Sequence, residues 1–147
     1  MKLLVLNGPN LGTLGRREPE VYGTRTLADL EAMLGERAGA LGIELRCVQS
    51  NHEGQLIDTL EKEGAATDGI IINPGALSHY SLALADALRG SGKPVIEVHI
   101  SNVFARDRER HRMVTAASAR GVISGLGFDG YLAALEYFDR QRRGHGQ

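Results

Sequence analysis

Five short apolar runs, each separated from the next by a stretch with helical spacing, constrain this chain more than any other feature. They cover residues 2–6, 43–49, 69–72, 94–98 and 121–123. The third, built on Ile70, Ile71 and Ile72, has no polar position, the pattern of a strand covered on both faces. Between the first two, Leu27, Leu30, Leu34, Ala38 and Leu41 recur at helical spacing over 26–41, with Thr26 as the N-cap, Asp29 in the first turn and Gly42 just past the end. Ser50 with Glu53 fits a capping box ahead of Leu56, Ile57 and Leu60, and Gly64 ends that helix. Further helices are expected over 81–89 and 130–142, with a short helix and turn over 105–119, and residues 140–147 read as a polar, flexible tail. Strands and helices that alternate in this way bury their apolar faces as an α/β domain, a parallel sheet with helices on both sides.

At 147 residues the chain is the size of one domain. The expected topology is flavodoxin-like, a doubly wound five-stranded parallel sheet of order 2-1-3-4-5. Ligands of such sheets bind beyond the carboxyl ends of the strands, near the point where the order reverses. The loop after the first strand, residues 7–23, holds Asn7, Asn10, Arg17 and Tyr22 among several glycines and two prolines. The turn after the third strand holds Asn73, Ser78 and His79, and the end of the fourth delivers Glu97, His99, Ser101 and Asn102. All three polar clusters therefore fall at one edge of the sheet. The first loop is longer than the usual strand-to-helix connection, and it reads as an active-site loop that closes over an anionic ligand.

The bulk properties remove several classes of function. With 17 basic and 18 acidic side chains there is no net field to hold a polyanion, which argues against nucleic acid and against a membrane surface. No apolar window reaches a membrane span and the amino terminus has no signal-peptide pattern, so a cytoplasmic setting is expected. Cys47 is the single cysteine, expected as a buried, inert thiol in the second strand. Neither GxGxxG nor GxxxxGK[ST] follows the first strand, and the three lysines, Lys2, Lys62 and Lys93, lie outside the polar clusters. Nucleotide cofactors and Schiff-base chemistry thus lack their usual residues. His52, His111 and His145 show no metal-ligand spacing.

What remains is a tyrosine, a histidine, arginines and amides. A phenol ionises near pH 10, so one that acts as a base near neutrality needs a cation beside it. Arg17, five residues before Tyr22, could be that cation; Tyr22 reads equally as an aromatic anchor that packs the loop. His99 ends its strand with Glu97 two positions earlier on the same face, and reads either as a plain strand-end histidine or, more sharply, as an imidazole oriented or charged by that carboxylate to act as a general acid. His79 lies near a helix start, where ligand contact and capping are both open. Arg106, Arg108, Arg110 and Arg112 alternate with Asp107, Glu109 and His111, either as a solvated face or as a source of one arginine for a ligand carboxylate. The set suits proton abstraction and elimination on a small polar carboxylate. An electron-transfer or signalling module on the same fold is the alternative. It would want a hydroxyl-rich phosphate loop in place of Asn7-Gly8-Pro9-Asn10, or an acceptor aspartate in place of Asn73.

Five segments carry a more specific resemblance: LNGPNLGTLGRREPEVYG, QSNHEGQLID, INPGALSH, VIEVHISN and the late GVISGLG with GYLAAL. In this order they resemble type II 3-dehydroquinate dehydratase over residues 1–140. The resemblance implies dehydration of 3-dehydroquinate to 3-dehydroshikimate without cofactor or metal, in a dodecamer of four trimers. It implies Tyr22 as the base at C2, Arg17 as stabiliser of transition-state charge, His99 as the acid at the departing C1 hydroxyl and Glu97 as its orienter. Asn10 would hold a water at the enolate oxygen. Asn73, His79 and Arg110 would bind hydroxyls, Ile100 and Ser101 the carboxylate, and Asp86 would come from a neighbouring subunit. The chain departs from the family pattern at Leu77, at Tyr80 and in His111-Arg112-Met113, where a serine is common.

Overall fold

The structure is a computed structural model that describes residues 1–144. Its five strands are β1 (Lys2–Asn7), β2 (Glu44–Gln49), β3 (Gly69–Asn73), β4 (Val95–His99) and β5 (Gly121–Ser124). They form one parallel sheet in the order β2-β1-β3-β4-β5, the topology expected from the alternation. Side chains alternate across it. Leu3, Val5, Ile71, Ile96 and Val98 pack under α2 (Leu27–Leu41) and α5 (Asp129–Gly144), against Leu30, Leu34, Tyr131, Leu135 and Phe138. Leu4, Leu6, Ile70, Ile72 and Val95 pack under α3 (Glu53–Glu63) and α4 (Leu82–Gly90), against Leu56, Leu60, Leu84 and Leu88. Each such aliphatic side chain contributes about 1.5–3 kcal/mol on burial, so β3, buried on both faces at every position, anchors the sheet.

Local signals agree with the structure where one element contains the whole interaction. Thr26 caps α2 and Asp29 returns the bond, a complete capping box. The box expected at Ser50 and Glu53 does not form. His52 is the N-cap of α3, Ser50 Oγ instead accepts from the His52 N–H and donates to Gln55, and the Glu53 carboxylate accepts from Ser81 Oγ. The stretch expected as a short helix over 105–119 is three separate turns, Val103–Ala105, Arg108–Arg110 and Thr115–Ser118. The charged run there offers no apolar stripe that would hold a continuous helix on the core. At the carboxyl end α5 continues to Gly144, with Arg142 and Arg143 both paired to the buried Asp139. Residues 140–144, expected in a flexible tail, are therefore helical, and 145–147 lie outside the described residues.

Candidate active site

Strand register assembles the polar ends. Asn7 of β1 stands opposite Gln49 of β2 and Asn73 of β3, and Ile72 stands opposite Glu97 of β4. Because β1 is followed by β2 on one side and paired with β3 on the other, the order reverses between β1 and β3. A cavity open to solvent lies at that point. Its lining brings together Asn10, Arg17, Tyr22, Asn73, His79, His99, Ile100, Ser101 and Arg110, together with Arg106 and the apolar Leu11, Leu14 and Val103.

Close backbone approach makes the crevice. The Gly8 N–H donates to the Asn73 carbonyl at 2.8 Å, and a Cβ on Gly8 would stand 2.4 Å from the Pro74 carbonyl oxygen. Gly75, at φ 59°, likewise leaves no room for a side chain beside the Pro9 carbonyl. From β2, Gln49 Nε2 donates to the Gly8 carbonyl at 3.2 Å, and Asn51 Oδ1 accepts from the Asn10 N–H at 3.0 Å. Asn10 itself is left-handed at φ 69°, a conformation that asparagine tolerates better than most residues.

β4 delivers Glu97 and His99 on one face. Glu97 is fully buried and His99 is 6 % exposed, with Nε2 2.7 Å from Oε1. That contact takes up Nε2 and leaves Nδ1 as the nitrogen for the cavity. Beyond His99, the carbonyls of His99, Ile100 and Ser101 accept from the Gly125 N–H, the Gly127 N–H and Ser124 Oγ at 3.1, 3.0 and 3.1 Å. Trans peptide geometry turns the N–H groups of Ile100, Ser101 and Asn102 the opposite way, and Ile100 and Ser101 line the cavity. His79 Nδ1 meets the Arg112 carbonyl at 2.8 Å, so its Nε2 is the free ring position.

Tyr22 sits on α1 (Pro19–Tyr22), a single turn with proline at its start and Gly23 at φ 79° after it. Arg106 Nη1 donates to Tyr22 Oη at 2.5 Å, and its guanidinium carbon lies 5.5 Å from the ring centroid. Arg17 lines the same cavity with a side chain 45 % exposed, nearest Glu18 at 3.7 Å. The guanidinium bonded to the phenol is thus Arg106, which in the sequence is one member of a charged run 84 residues away and carries no local signal. Thr115 was equally invisible, and Ser78, legible only as a polar residue of the turn after β3, gave no sign of its link to Glu97. Both donate to the Glu97 carboxylate, at 2.7 and 2.8 Å.

Asp86 is the residue that stands apart. On α4, with its side chain 76 % exposed and paired to Arg89, it does not line the cavity. A second tyrosine, Tyr131, is buried behind the site and donates to Asn7 Oδ1 at 2.6 Å. Burial pushes its hydroxyl well above the ordinary phenol range, against a smaller opposing hydrogen bond from Asn73. Of these two phenols, Tyr22 is the one that lines the cavity. Among the described residues, no three His, Cys, Asp or Glu side chains group as metal ligands.

Comparison with known proteins follows the same outline. A family model described as Dehydroquinase class II matches residues 1–139. A curated 3-dehydroquinate dehydratase of Roseiflexus castenholzii is 61% identical over 137 residues, 93% of this chain and 87% of that protein. That of Bacillus subtilis is 50% identical over 144 residues, 98% of this chain and 97% of that one. Among solved structures, the type II dehydroquinase of Butyrivibrio crossotus superposes with a TM-score of 0.92 at 47% identity, covering 93% of this chain and 96% of that chain. A 3-dehydroquinate dehydratase-like protein of Bifidobacterium longum is more distant, with a TM-score of 0.70 at 30% identity over 95% of this chain and 96% of that chain. Sequence identity of this extent, on the same sheet topology, has one meaning: the chain belongs to the class II dehydroquinase family.

Proposed function

We propose that this chain dehydrates 3-dehydroquinate to 3-dehydroshikimate, a step of the shikimate pathway, by anti elimination through an enolate. The observation that carries the reading is one cavity with two proton-transfer groups from different elements: Tyr22, bonded by Arg106, and His99, backed by Glu97. As a phenolate, Tyr22 removes a proton from C2. A guanidinium that donates to its oxygen stabilises the charge this requires, and Arg17 stabilises charge in the transition state. The electron pair released at C2 delocalises onto the C3 carbonyl as an enolate, whose oxygen meets a water held by Asn10. His99 gives its proton to the C1 hydroxyl, which departs as water while the C1–C2 double bond forms.

The remaining cavity residues bind. Asn73, His79 and Arg110 take substrate hydroxyls, and the carboxylate rests on the backbone of Ile100 and on Ser101. No cofactor or metal takes part. Twelve chains assemble as four trimers, and Asp86, exposed and away from its own cavity, reaches that of a neighbour. A single catalytic domain working in the cytoplasm belongs to the same proposal and rests on the family resemblance.

The test uses 3-dehydroquinate carrying deuterium at one or the other C2 position. The expected result is a rising enone absorbance, with deuterium lost only from the position anti to the C1 hydroxyl. Loss from the syn position would contradict the stereochemistry, and no absorbance change would contradict the dehydratase.

A further inference from the structure

We propose that Thr115 and Ser78 are positioning residues for the Glu97–His99 pair: their hydroxyls hold a buried carboxylate in the orientation that presents His99 to the cavity. The kinetic consequence rests on the dehydratase reading, whereas the hydrogen bonding does not. Glu97, Ser78 and Thr115 are each 0% exposed. Ser78 Oγ donates to Oε1 at 2.7 Å, Thr115 Oγ1 donates to Oε2 at 2.8 Å, and His99 Nε2 meets Oε1 at 2.7 Å. An ionised carboxylate only accepts, so it satisfies all three neighbours at once. Each hydroxyl has one proton, and both protons go to Glu97. The 3.2 Å contact between the two hydroxyl oxygens sets them side by side on the carboxylate.

Nothing else balances this group. Among the described residues, the one cationic partner within ion-pairing distance of Glu97 is His99 itself. A fully buried carboxylate is costly unless it is hydrogen-bonded, so the two hydroxyls satisfy it and fix where it points. They reach it from separate turns. Ser78 belongs to Gly75–His79 after β3, and Thr115 opens Thr115–Ser118 before β5. The Val114 N–H donates to the Ser78 carbonyl at 2.7 Å and ties the turns together. Through Glu97 the pair makes Nδ1 of His99 the nitrogen that gives and regains the proton. Removal of the Thr115 hydroxyl leaves Oε2 without a donor and loosens that assignment.

Thr115→Val keeps the shape and deletes the hydroxyl. The expected result is a fall in kcat of about 10- to 100-fold, with KM changed by less than about threefold. Thr115→Ser should recover most of the loss, which a purely packing role for the methyl group would not allow. The second readout is the proton NMR signal of His99 Nε2–H, assigned by its loss in His99→Gln, which should shift or vanish into exchange in folded Thr115→Val. A wild-type kcat or an unmoved His99 signal in that variant would overturn the inference. Ser78→Ala removes the other donor, must act in the same direction on both readouts, and decides the question if Thr115→Val fails to fold. A wild type without turnover would sink the dehydratase reading alone, because the His99 signal would still report whether the hydroxyls hold the pair.

Discussion

Tyr22 and Tyr131 carry the same phenol into different surroundings, and the surroundings set them apart. Tyr131 is sealed behind the sheet with its proton on Asn7, whereas Tyr22 stands half-buried at the cavity with an arginine on its oxygen. Cys47 shows the same dependence on surroundings. Half-buried on β2 rather than wholly covered, its thiol is pushed up to about 11, first by burial and then by the charge of Glu31, with Arg46 opposing. Only the thiolate is nucleophilic, so iodoacetamide at pH 8 should alkylate the native protein on the order of 100-fold more slowly than the chain unfolded in urea. Equal rates would contradict this. The sign of the linked stability follows from a raised folded value. Below the ordinary value of 9.0 the contribution is complete, and it is lost as pH rises toward about 11, because the unfolded thiol ionises first. The urea midpoint should therefore decline across that interval by more in the wild type than in Cys47→Ala.

At the scale of elements, strands and the Thr26 cap were legible because their causes are local: apolar residues at a fixed period and a side chain that reaches three residues ahead. The site was half legible. Asn73, Glu97 and His99 announce themselves as polar residues at or near the carboxyl ends of apolar strands, register brings them to one edge, and His79 follows in the turn after β3. Arg106 on Tyr22 and Thr115 on Glu97 could not be read, since neither contact leaves a periodic trace and both depend on how turns fold over the sheet. Ser50 and Glu53 misled for two reasons: Ser50 takes other local partners, the His52 N–H and Gln55, and Glu53 is drawn off by the tertiary Ser81. The loop after β1 depends on Gly8, and Gly8→Ala tests that dependence. A methyl group there must push β1's loop off the Pro74 carbonyl, displacing Asn10 from the cavity. The expected cost is on the order of 100-fold in kcat/KM, measured on protein that remains folded by circular dichroism. An unimpaired variant would show that the close approach does not set the site.

The whole molecule is the scale at which the proposed assembly has its consequences. Tyr80, Leu82, Phe104 and Leu126 are each more than half exposed, and Asp86 is exposed and does not line the cavity of its own chain. The proposed dodecamer would account for both. Sedimentation equilibrium should give a mass twelve times the 15.8 kDa chain, and Asp86→Ala should raise KM in the assembled enzyme without dissociating it. A fully active monomer would contradict the account. The central claim is that Tyr22 is the base, and one comparison tests it most directly: the rise in enone absorbance on addition of 3-dehydroquinate to wild type and to Tyr22→Phe, side by side. The wild type should turn over, and the variant, folded and still able to bind, should lose about three or more orders of magnitude in kcat. A Tyr22→Phe protein within a few fold of wild type would show that the proton leaves C2 by another route.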